Sequence, residues 1–134
     1  MFGGTFSFEE QVKRYTKNLE LAKRSGDKFK EGDALEGLAI CYSAMAGHVD
    51  TARAIFFYNQ AIQIFKEINW WEQYYKSYAS LGLIYEKIMR DPIKALEVYE
   101  RAIREGEEVY MEPALHFRDS ILRFIIILRS ENQK

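Results

Sequence analysis

Apolar residues return at three-to-four spacing along most of the chain, and short polar breaks divide them into six runs. The clearest run lies between Trp70 and Glu108. Tyr78, Leu81, Tyr85 and Ile88 form one helical stripe, and Ala95, Leu96, Tyr99, Ala102 and Ile103 form a second. Asp91-Pro92 separates them. Aspartate accepts hydrogen bonds from the free amides of a starting helix, and proline in the first turn has no N–H to leave unpaired. The break is short, so the two helices should pack antiparallel. Glu97 and Arg101, and Glu100 and Arg104, stand four apart on the outer face in the favourable acid-first order.

The same reading predicts helices over residues 8–25, 28–46, 51–68, 71–89, 92–108 and 114–129, in one domain over 1–134. Ser7 and Glu10 fit a capping box, with Phe6 placed to staple the first turn. Gly26 can close the first helix in the left-handed conformation, and Asp27 can cap the second. Asp50 or Thr51 caps the third, Asn69 closes it, and Pro113 stands in the first turn of the sixth. Gly37 and Gly32, inside the second helix, call for a close backbone approach. The polar tail from Ser130 onward is expected to fray.

The runs repeat. Tyr15 to Tyr42 and Tyr58 to Tyr85 are both 27 residues apart. Leu35, Leu38, Ala39 and Tyr42, followed by Ala54, Tyr58 and Ala61, match Tyr78, Leu81, Gly82 and Tyr85, followed by Ala95, Tyr99 and Ala102. The second copy, Tyr78-x2-Leu81-Gly82-x2-Tyr85 with Ala95-x3-Tyr99-x2-Ala102, resembles a tetratricopeptide repeat. Tyr78 stands where that family favours tryptophan, and the closing proline is absent from both copies. The 43-residue step exceeds the usual 34. It resembles the long-helix variety of adaptor, vesicle-fusion, kinesin-cargo and bacterial peptide-sensing proteins. The match covers residues 8–108. Helix six departs from it, with Arg123 in a small-residue slot, and fits a terminal cap.

The resemblance implies an all-α fold, a right-handed α-α superhelix of about six antiparallel helices. It implies that the first helix of each pair lines a concave, partner-binding face. Those positions are Asp33, Glu36 and Ile40 in the first copy and Lys76, Ala79, Leu83 and Lys87 in the second. Some family members clamp a terminal carboxylate with a Lys/Asn set. Glu36 and Ile40 stand where part of that set should be, so that activity is not carried over. Trp70 and Trp71 cannot both face one core, and an exposed Trp71 would be a further contact residue. Ile121, Leu122 and Phe124 to Leu128 cover more than one face of helix six. Phe124, Ile127 and Leu128 are therefore candidates for self-association, and a homodimer through this helix is the alternative function.

Composition narrows the rest. Net charge is −1 with 29% charged residues, which argues against a general nucleic-acid binder. The single cysteine, Cys41, cannot form an internal disulfide, and its place on an apolar stripe suits packing. His48 and His116 lie in different elements without spaced metal-ligand partners. Gly3-Gly4 does not make a phosphate-cradling loop. No signal peptide is visible, and the run Phe124 to Leu128 is too short to cross a bilayer. The expectation is a cytoplasmic, non-catalytic scaffold. It should bind a protein or peptide and need no cofactor, metal, nucleic acid, membrane or small-molecule substrate.

Overall fold

A computed structural model describes residues 7–133, and over these the chain is all-helical. The elements are α1 (Phe8–Ser25), α2 (Lys28–Ala44), α3 (Thr51–Glu67), α4 (Trp71–Leu83), a five-residue π-helical turn (Ile84–Ile88), α5 (Pro92–Glu105) and α6 (Ala114–Asn132). The expected staple by Phe6 and the Gly3-Gly4 pair lie outside the described residues. The chain divides into two compact units, Met1–Ile64 and Phe65–Lys134.

Local chemistry explains most helix ends. The Ser7 hydroxyl accepts the Glu10 amide at 3.1 Å. Asp27, Asp50 and Asp91 each accept the amide three residues later, at 3.0, 3.1 and 3.0 Å. Gly26 closes α1 at φ 72°, and the Asp27 amide then reaches back to the Ala22 carbonyl at 3.0 Å. Asn69 closes α3 in the same way at φ 58°, with the Trp70 amide on the Phe65 carbonyl at 2.9 Å.

Four boundaries differ from expectation by two residues or more, and helix three ends one residue early at Glu67. Helix two stops at Ala44, because Met45 turns to extended backbone. Regular α-helix four stops at Leu83, where the ladder widens: the Met89 amide donates to the Ile84 carbonyl, five residues back. Helix five stops at Glu105, three residues early. Gly106 is extended there, and the Tyr75 hydroxyl donates to the Glu107 carbonyl, drawing the chain out of the helix. Helix six runs on to Asn132, so the polar tail is mostly helical. Arg129 in its last turns is ion-paired with Glu100.

In the first unit α1 packs on α2. A Cβ on Gly37 would lie 2.6 Å from Tyr15 Cδ1, so glycine is what lets the two helices close. Leu35, Leu38, Ala39, Tyr58, Ala61 and Ile62 are buried. His48 stacks on Phe8 with centroids 4.3 Å apart, and Phe8 meets the edge of Tyr42 at 5.4 Å.

In the second unit α4 and α5 pair, and α6 packs against both. Gly82 faces Tyr99 so closely that a Cβ would overlap the ring, with even Cδ1 at 2.6 Å. Ala95 and Ala102 are fully buried beside it. These small residues are packing slots. Tyr74, Tyr75 and Tyr78 form the other half of the core. Tyr74 meets the edges of Trp71, Tyr75 and Tyr78 at 4.9, 4.9 and 5.0 Å. Its hydroxyl donates to the Ala102 carbonyl at 2.9 Å.

These tyrosines make the fold sensitive to alkali. Burial pushes the Tyr74, Tyr75, Tyr78 and Tyr99 hydroxyls above the ordinary tyrosine value. The Glu86 carboxylate adds to the shift at Tyr99, whereas Arg118 and Arg101 oppose it at Tyr75 and Tyr78. The folded state thus holds these protons more tightly than the unfolded chain. Their stabilisation is complete below about pH 10 and falls as pH rises past the unfolded tyrosine value. Thermal scans should show a falling melting temperature above about pH 10, with part of the tyrosinate absorbance appearing only as helix is lost. Ordinary titration of all nine tyrosines with the helices intact would contradict this packing.

Candidate interaction surface

The residues that sequence reasoning assigned to a binding face fall into two groups, one in each unit. In the first unit Asp33 and Ile40 are exposed on α2, whereas Glu36 is buried with 8% of its surface accessible. Glu36 therefore offers a partner little surface. In the second unit Lys76, Leu83 and Lys87 are exposed and Ala79 is half-buried. Trp71 is half-buried against the Tyr74 and Tyr75 rings, and Trp70 is half-buried against Phe65 at 5.5 Å. Neither tryptophan is an open contact residue. Both cover their own aromatic clusters.

A finer pattern emerges within each helix. On α2 the exposed positions include Asp33, Ile40 and Ala44. On α4 and its π turn they include Lys76, Leu83 and Lys87. Each set follows the spacing i, i+7, i+11, and each member is 43 residues from its counterpart. On a regular helix that spacing falls on one narrow stripe about 16 Å long. The central slot holds a large aliphatic side chain both times. Ile40 keeps 44% of its surface in water and Leu83 keeps 37%. The charge differs, with Asp33 in one copy where the other has Lys76. Lys87 pairs with its neighbour Glu86 at 3.1 Å on the surface, so its amine stays at the rim. The π turn rotates Lys87 out of the phase that a straight α-helix would give it.

The first unit also carries two open grooves that the sequence did not reveal. One, of about 550 Å³, is lined by Tyr15 and Leu21 from α1 and by Lys30 and Asp33 from α2. The other, of about 450 Å³, has Leu35 and Ile64 at its base and Phe56, Asn59 and Gln63 along α3. Phe56 is 54% exposed there. In the second unit a polar groove follows Lys94, Glu97, Arg101 and Arg104 on α5. The two grooves of the first unit form where side chains from separate helices meet, so periodicity along one helix could not show them.

Cys41 is buried, and burial pushes its thiol up, away from the thiolate form. Among the described residues no three His, Cys, Asp or Glu side chains are placed to hold a metal ion. Among them also, no helix is long and apolar enough to cross a membrane.

No family model, curated protein or solved structure matches this chain.

On α6 the structure separates the three residues expected to self-associate. Leu128 is 2% exposed, and Phe124 is half-buried with its ring 5.3 Å from Tyr99. Both face inward. Ile127 is 53% exposed and its neighbour Ile126 is 67% exposed. An all-round apolar run cannot reveal which side meets the core. That depends on where α4 and α5 lie.

Proposed function

We propose that this protein is a non-catalytic interaction scaffold of tetratricopeptide-like helical hairpins that binds a peptide segment of a partner protein. Each unit offers its own contact stripe, on α2 in the first and on α4 with its π turn in the second. One observation carries this reading: the same three positions, i, i+7 and i+11, are exposed in both copies, each time with a large aliphatic residue at i+7. Helix stability does not require a large apolar side chain in water. A bound apolar side chain would cover Ile40 or Leu83, and the flanking charges would set register and orientation. Asp33 suits a basic position in the partner, and Lys76 an acidic one. The close Gly82–Tyr99 and Gly37–Tyr15 contacts support a preformed scaffold, because tight packing leaves the helices little freedom to rearrange.

The test begins with selection of peptides from a random display library on the purified wild-type chain. Leu83→Glu should keep wild-type helicity and a single hydrodynamic species, because Leu83 lies at the surface. It should weaken the selected peptides by about tenfold or more, the loss expected when a buried apolar contact becomes an unpaired charge. Peptides that bind Leu83→Glu and Ile40→Glu as tightly as wild type would contradict the proposed face.

A further inference from the structure

We infer that α6 carries a second, self-complementary surface, and that its partner is another copy of this chain in antiparallel register. Ile126 and Ile127 are the observation that calls for a partner. They are adjacent large aliphatics left in water on a helix that buries Ile121, Ile125 and Leu128 in its own unit and half-buries Leu122 and Phe124. The charges beside them identify the partner. Arg123, Ile127 and Glu131 are spaced by four, so they follow one another along the exposed side of α6. Arg123 donates to the Ser120 hydroxyl at 3.1 Å, and among the described residues neither Arg123 nor Glu131 is in an ion pair.

A two-fold axis pairs positions equally far before and after its centre. With the axis at Ile127, Arg123 of each copy faces Glu131 of the other. Two ion pairs then flank an Ile127–Ile127 contact, each about 6 Å along the helix from the centre, and Ile126 borders it. A parallel crossing would set Arg123 against Arg123 and Glu131 against Glu131. The antiparallel register is the one that the charges favour. Arg129 does not compete for this role, since Glu100 of its own unit holds it.

The surface is small. A 19-residue helix is about 28 Å long, and one helix crossing covers less than the roughly 1,600 Å² of a standard stable complex. The dimer is therefore weak and reversible, and it forms as concentration rises. It does not use the α4 stripe proposed for peptide binding, so either surface can fail its test without the other.

Sedimentation equilibrium of the full chain, from micromolar to millimolar concentration, tests the inference. The average mass should climb from 15.8 kDa toward twice that value. Ile127→Asp should hold it at the monomer. Arg123→Glu and Glu131→Arg should each weaken association by about tenfold. The double reversal, Arg123→Glu with Glu131→Arg, should restore it to within a few fold. All of these residues are exposed, so circular dichroism should report unchanged helicity in each variant. A 15.8 kDa species at every concentration would overturn the inference. So would a dimer that tolerates Ile127→Asp, or one that the double reversal fails to restore.

Discussion

Tyr74→Ala should lower the stability of the second unit by about 3–5 kcal/mol, the loss typical of deleting a large buried ring. No part of Tyr74 is accessible, and three aromatic rings close on it within 5.0 Å. Alanine would leave all three of those rings without the partner they pack against, and a cavity on that scale is what makes such a truncation costly. Tyr74→Phe separates packing from hydrogen bonding. The Ala102 carbonyl that accepts from Tyr74 also accepts the Gly106 amide at 3.0 Å. Removing the hydroxyl thus leaves that carbonyl partnered, and the change should cost only about 1 kcal/mol. Denaturant titration of both variants checks the ratio. Equal losses would mean that the hydroxyl, and not the ring, is what the core depends on.

The second large effect is at Gly82. Alanine in place of a mid-helix glycine normally stabilises by up to about 1 kcal/mol. Here the added methyl would enter the Tyr99 ring. That ring is fully buried, with Phe124 at 5.3 Å on one side and the Glu86 carboxylate 3.5 Å from its hydroxyl. It cannot swing aside without moving α6. Overpacking of this kind costs about 1–3 kcal/mol or more, so Gly82→Ala should be net destabilising by roughly 1–2 kcal/mol. Gly37→Ala is the control. The Tyr15 ring there is half-exposed and can turn toward solvent, so the loss should be smaller. Thermal melts of the two variants give the comparison. Tyr99→Leu combined with Gly82→Ala should be less destabilised than the sum of the single changes, because the smaller side chain leaves room for the methyl. A stabilised Gly82→Ala would show that α4 and α5 do not approach as described.

The repeat and its punctuation were readable because short-range chemistry decides them. Ser7, Asp27, Asp50 and Asp91 each accept one amide three residues away, and no tertiary contact is needed to see it. Gly82 was readable as a packing slot because a small residue fills the same place in both copies, Ala39 in the first and Gly82 in the second, each one residue after the leucine of its stripe. The π turn was not readable: the apolar spacing of Ile84, Tyr85 and Ile88 suits either ladder. The end of α5 was missed because it depends on Tyr75, about thirty residues earlier, reaching the Glu107 carbonyl. Glu36 was assigned to the binding face by the resemblance and its place on helix two, yet the packing of that helix buries it. Phe124, Ile127 and Leu128 were grouped by hydrophobicity, and only the position of α6 against its neighbours divides them. The all-helical fold and the repeated slots are local properties. Which stripe meets water is settled by long-range packing.

The most direct test of the interaction reading is a map of amide chemical-shift changes on adding a library-selected peptide to the labelled chain. The scaffold reading predicts that the largest changes centre on Ile40 and on Leu83, with smaller ones at Asp33, Lys76 and Lys87. It also predicts that they disappear in the Ile40→Glu, Leu83→Glu double variant. Changes confined to the outer faces of α3 and α5, with Ile40 and Leu83 unmoved, would contradict it.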